Sequence, residues 1–163
     1  MALSRTWNRV RKEIARYRSV GPKLLALGWQ DWKDLVRAQL ALARAQREMQ
    51  SRPTGEMVRD DPTHTDIPFP DRGDEARRIA LAVNRAAQFG WFRPKCLVRS
   101  RALRYLLDDA GIVGAQVRVG VSLSQDRFLA HAWVEYAGQV VGDDPAAVAR
   151  FVPMTGLQVA ELE

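Results

Sequence analysis

The sequence predicts an α+β fold, with helices leading and a small antiparallel sheet following. Up to residue 110, the regular stretches place apolar residues at i, i+3, i+4 and i+7, the spacing of one helix face. From Val117 the period falls to two: Val117, Val119 and Val121 alternate with Arg118 and Gly120, as in a half-buried strand. The only cysteine, Cys96, stands where the last long helix begins.

With 163 residues the chain can bury one modest core and still carry a helical extension. Residues 3–19 can form a helix with Trp7, Val10, Ile14 and Tyr17 on one stripe, interrupted by Gly21-Pro22. A second helix follows over residues 23–50, carrying Leu24, Leu25, Leu27, Trp29, Trp32, Leu35, Val36 and Leu40, with Gly28 as a break. Residues 1–50 therefore read as a helical extension. Between residues 51 and 74 the pattern dissolves among Pro53, Pro62, Pro68 and Pro70. Proline removes a backbone donor and disfavours helix in the residue before it, so this is a linker or long loop. His64 lies there with no second ligand or base nearby and reads as an ordinary surface histidine.

Residues 75–163 are expected to form the main domain. Helix returns near Asp74 and runs to Phe89, burying Ile79, Val83, Ala86 and Ala87. The helix opened by Cys96 buries Val98, Ala102, Leu106 and Leu107, and Gly111 stands where a left-handed cap belongs. Strands are expected over Val117–Val121, Phe128–Tyr136 and Gln139–Asp143, with a short helix over Ala146–Phe151.

The net charge is +6, so a nucleic-acid partner must be weighed. Arg and Lys are spread along helices that also carry Asp and Glu, and there is no zinc-ligand spacing, aromatic RNA-binding signature or helix-turn-helix pattern. The charge reads as a basic solvated surface, with an acidic peptide partner as the alternative, and no nucleic acid is expected. No apolar run approaches the roughly 20 residues of a membrane span, and the N-terminus lacks the apolar core of a signal peptide. A single cysteine excludes an internal disulfide, which points to the cytoplasm. No metal or cofactor is expected.

Cys96, His131 and Asp143 can serve as nucleophile, base and orienting carboxylate. An isolated cysteine is otherwise a buried inert thiol, and a lone strand histidine a core residue satisfied by the backbone. Their combination favours chemistry. A helix N-terminus favours a thiolate through its free N–H groups. Lys95, in the cap position, has no side-chain acceptor for those donors, which stay available to a thiolate or an oxyanion. Arg99, one turn on, adds positive charge. Gln88 is a candidate second oxyanion donor, with a plain helix-surface role as the alternative. Trp133 shares the face of His131 and is expected to shield it or to fill core.

Which aspartate partners His131 turns on the hairpin. A two-residue turn at Ala137-Gly138 would force alanine to positive φ, which a side chain resists. A three-residue loop, Tyr136 to Gly138, avoids this and sets Glu135 opposite Gln139, Trp133 opposite Val141 and His131 opposite Asp143. With a two-residue turn the choice would pass to Asp144.

The runs CLVRSRALRYLLDDAGI, VRVGVS and AHAWVEYAGQVVGDD resemble the transglutaminase-like leader peptidases of lasso peptide biosynthesis. The resemblance covers about residues 77–144, and its most specific parts are the Cys-Leu helix start and the AHAWVE strand followed by aspartate. It implies a papain/transglutaminase-like core in which the nucleophile helix packs on the sheet. It also implies an ATP-independent thiol protease that removes the leader from a ribosomally made precursor, with Cys96 as nucleophile, His131 as base and Asp143 as orienter. The implied partners are the precursor's leader region, a small leader-recognition protein and a macrolactam-forming cyclase. No winged-helix recognition domain is expected ahead of the core, as in the stand-alone form. From the residues alone the reading stops at a thiol acyl-transfer enzyme. Transglutaminase-type transfer to an amine and a non-catalytic peptide-binding scaffold remain as alternatives.

Overall fold

The structure is a computed structural model and describes residues 28–51, 72–124 and 127–154. The helix expected over residues 3–19, His64 with most of the proline-rich segment, and the chain beyond residue 154 lie outside the described residues. The chain divides into two units, residues 1–33 and 34–163. In the first, the Gly28 N–H donates to the Asp31 carboxylate at 3.2 Å. That is half of a reciprocal helix cap, and it accounts for the break expected at Gly28: helix α1 is Trp29–Ser51.

In the second unit, α1 buries Ala38, Ala41, Leu42 and Ala45 at the spacing of one helix face. Helix α2 (Gly73–Phe89) buries Ala76, Ile79, Ala80, Ala82, Val83, Ala86 and Ala87. Helix α3 (Cys96–Asp109) buries Val98, Ala102, Leu103, Leu106 and Leu107, and Gly111 follows it in the left-handed conformation. The alanine faces let backbones come close, while Leu42, Val83, Leu107 and Ile112 supply the volume. Arg101 Nη2 reaches Glu48 Oε1 at 3.1 Å and ties α3 to α1.

The sheet comprises β1 (Gln116–Ser124), β2 (Arg127–Tyr136), β3 (Gln139–Val141) and β4 (Val152–Pro153), in the order β3-β2-β1-β4 with every neighbour antiparallel. A short helix α4 (Pro145–Val148) separates β3 from β4. Helix α3 packs against both α2 and β2. Val134, Tyr136 and Val141 complete the core with the helices. This is the α+β architecture expected, a helix layer on a small antiparallel sheet. Strand β4 was not foreseen, because two residues carry no period. Among the described residues no helix is long and apolar enough to cross a membrane.

The β2–β3 turn differs from the expectation. Tyr136 pairs with Gln139, Glu135 with Val140 and Val134 with Val141, so the turn has two residues, not three. Ala137 takes φ 49° and Gly138 φ 73°. A left-handed alanine costs roughly 1–2 kcal/mol. The three-residue loop would have set Val140 in place of Val141 beside Val134, so the two registers bury a valine alike. In the observed register Val134 and Val141 are 1% and 5% exposed. Positive φ at both turn residues also matches the strand twist.

By strict continuation of that ladder, His131 would face Asp144. The ladder stops first. Gly142 takes φ 81°, where side chains are disfavoured, and a Cβ there would lie 2.8 Å from Leu103 Cδ2 and 3.2 Å from Ala80 Cβ. Asn84 Nδ2 donates to the Gly142 carbonyl at 2.8 Å and holds the bend. The chain leaves the sheet and Asp143 arrives at His131. The pairing of His131 with Asp143 thus rests on the kink and not on the loop length from which it was inferred.

Two substitutions test this account. Ala137→Asn, a residue that tolerates the left-handed region, should stabilise the protein by about 1 kcal/mol and raise Tm by roughly 2–4 °C. A lower Tm would mean that position 137 is not left-handed. Gly142→Ala should lower Tm, with ~1–2 kcal/mol of backbone strain added to about 1–3 kcal/mol of overpacking.

Candidate active site

Strand β2 carries His131 and β3 leads into Asp143. His131 Nε2 and Asp143 Oδ2 are 2.7 Å apart, with side chains 20% and 23% exposed. With the carboxylate ionised, Nε2 carries the shared proton and Nδ1 keeps its lone pair for another partner. Asp143 Oδ1 accepts from the Asp144 N–H at 3.0 Å, which fixes the carboxylate's second oxygen. Asp144 itself turns away. Its Oδ1 accepts from the Ala146 N–H at 3.0 Å and caps α4, with Pro145 in the first helical position.

Two aromatic rings flank the imidazole. Trp133 stacks with it at 6.3 Å between centroids and 19° between planes, and Phe151 lies at 5.2 Å and 34°. Trp133 is buried, and its Nε1–H donates to Glu135 Oε1 at 2.9 Å, while Glu135 Oε2 accepts from Arg118 Nε at 3.2 Å. Gly120 lies directly across from His131 on β1. A Cβ at Gly120 would come within 2.8 Å of both Trp133 Cη2 and the Val152 carbonyl, so its lack of a side chain admits the indole.

Cys96 is half-buried and is the first residue of α3. Lys95 occupies the cap position and makes no side-chain cap bond, and no acidic residue stands in the first turn. The first hydrogen bond of the helix runs from the Arg99 N–H to the Lys95 carbonyl at 3.1 Å. The N–H groups of Cys96, Leu97 and Val98 therefore precede the ladder and face an anion-favouring end. No hydrogen bond joins the thiol to His131. The helix meets the pair through Arg99, whose Nη2 lies 3.8 Å from Asp143 Oδ2.

An open cleft of about 660 Å³ adjoins the pair, lined among others by Leu81, Asn84, Gln88, Arg99, Asp143 and Asp144. It borders Asp143 and Arg99 but not Cys96 or His131, so it is a neighbour of the pair rather than its container. Gln88 sits exposed on α2 at this cleft. Among the described residues, no three His, Cys, Asp or Glu side chains cluster as metal ligands would.

Sequence reasoning missed Phe151, Asn84 and Gly120. Phe151 is the only aromatic residue after Asp143, which was a usable signal. Asn84 interrupts an alanine-rich helix next to buried Val83, a weaker one. Gly120 within an alternating strand marked a close approach.

A protein-family model described as the transglutaminase-like superfamily matches residues 29–156. No curated protein and no solved structure matches the chain.

The two aspartates are separable by experiment. If Asp143 orients His131, Asp143→Asn should sharply lower thiol-dependent acyl-transfer activity while leaving the circular dichroism spectrum intact. The loss approaches roughly ten-thousandfold in the best-studied serine enzyme and should be smaller where the cysteine is already ionised. Asp144→Asn keeps a good cap and should be nearly silent in both readouts. Activity that survives Asp143→Asn but not Asp144→Asn would overturn the assignment.

Proposed function

The chain belongs to the transglutaminase-like superfamily, a fold typical of cysteine-protease-like thiol enzymes, and from that premise we propose that it is a cysteine peptidase. Its substrate is the precursor of a ribosomally made lasso peptide, from which it removes the leader. The observation that carries this reading is the 2.7 Å contact between His131 and Asp143, beside a helix that opens on the chain's only cysteine.

In this reading His131 Nδ1 takes the thiol proton, and Cys96 Sγ attacks the carbonyl carbon at the end of the leader. The resulting oxyanion is met by the Cys96 backbone N–H at the start of α3. His131 then gives its proton to the leaving amine, the C–N bond breaks, and the core peptide departs with a free N-terminal amine. A thioester between leader and Cys96 remains. Water, deprotonated by His131, attacks it, and the leader leaves as a carboxylate while the thiol is regenerated. Asp143 holds the imidazole in the working tautomer and stabilises its charged form. Trp133 and Phe151 shield part of the ring and strengthen that interaction.

Leader recognition is assigned to a small partner protein and ring closure to a cyclase that uses the freed amine. The cleft of about 660 Å³ beside Asp143 has room for substrate side chains. The same three residues would support transfer to an amine in place of water, so the products decide.

Incubating the purified chain with precursor peptide and leader-binding partner should yield, by mass spectrometry, free leader and a core with an unmodified amine. Cys96→Ala should abolish both. A leader carrying an added amine would establish transfer instead. Unchanged product formation by Cys96→Ala would leave only a peptide-binding scaffold.

A further inference from the structure

Arg99 stands on α3 one turn beyond Cys96, and its guanidinium contacts the end of the sheet. Its Nη2 lies 3.8 Å from Asp143 Oδ2, the oxygen that also meets His131 Nε2 at 2.7 Å. Asp143 follows a left-handed glycine on a segment that has just left the sheet, so the ladder no longer fixes it. What orients its carboxylate are three contacts: the Asp144 N–H on Oδ1, and His131 and Arg99 on Oδ2. The first is local to the loop and the second is the contact to be explained. Arg99 is the one that reaches in from the helix layer. With Arg99 and Asp143 side chains 35% and 23% exposed, the pair is partly shielded from solvent screening.

We propose that Arg99 is a positioning residue, which holds Asp143 Oδ2 toward His131 Nε2 and thereby locks the nucleophile's helix to the base. The inference rests on reading Cys96, His131 and Asp143 as one thiol-activating set. Arg99 touches neither substrate nor sulfur in this role. It acts through the carboxylate, and its removal leaves Asp143 free to rotate out of line.

Alkylation of the single cysteine by iodoacetamide at pH 7 reads thiol activation without any peptide substrate. The full chain would be compared with Arg99→Met, Arg99→Lys, His131→Ala, Asp143→Asn and the Arg99→Met/Asp143→Asn double variant. Arg99→Met should slow alkylation by roughly tenfold, less than the hundredfold that a 1 Å misplacement of a reacting group can cost. Arg99→Lys, which keeps the charge, should recover most of the rate. In the Asp143→Asn background, Arg99→Met should add no further loss, because residues that act through one another are not additive. A wild-type rate for Arg99→Met overturns the inference. So does a loss of equal size in both backgrounds, which would mean action on the thiol or on the fold. If His131→Ala and Asp143→Asn alkylate at the wild-type rate, the thiol-activating set itself falls, a failure distinct from that of Arg99 alone. Circular dichroism melts confirm folding, and Arg99→Gln replaces any methionine variant that does not fold.

Discussion

At Gly142 the chain rotates out of the sheet with φ 81°, and the geometry around His131 follows from that rotation. Had β3 continued, the ladder would have set Asp144 opposite the imidazole and turned Asp143 to the other face. The rotation is enforced from outside the strand. Leu103 and Ala80 fill the space a side chain would need, and Asn84 grips the Gly142 carbonyl. The helices that bury the core are therefore the same ones that aim the carboxylate. Stability and site geometry share a single set of contacts.

The class of the fold was legible because it is written in periods, 3.6 along the helices and two along β1 and β2. Cys96 at a helix start was legible too, since Gly90 with Pro94 marks the interruption before it and an apolar period follows. The hairpin was misjudged. Local sterics at Ala137 argued for a longer loop, but a turn with both residues left-handed matches the strand twist and tolerates one strained alanine. Asp143 meets His131 through a kink that the strand pattern did not reveal. Phe151, Asn84 and Gly120 were not read because their roles depend on which elements meet. No spacing along the chain encodes that Asn84 on a helix faces a carbonyl fifty-eight residues later.

The polar groups near His131 are arranged in sequence along one side of the sheet. Arg118 holds Glu135, Glu135 holds the Trp133 indole, Trp133 stacks on His131, and His131 meets Asp143. A half-buried carboxylate or indole without a partner would be costly, so each link satisfies a group that the next depends upon. Such a chain fixes the ring's plane more firmly than any one of its members would. Gly120 belongs to it by omission, since any side chain there would displace the indole.

Asp143 and Phe151 both touch the imidazole, and the chain between them is short and internally tied. Asp144 caps α4, the Ala149 N–H reaches the Pro145 carbonyl, and the Phe151 N–H reaches the Val148 carbonyl. Mechanically this segment is a clasp whose two tips close on one ring. Both tips hang on one tied stretch of chain, so the carboxylate and the aromatic wall share a single support. The smallest helix among the described residues is in that sense a brace for the histidine.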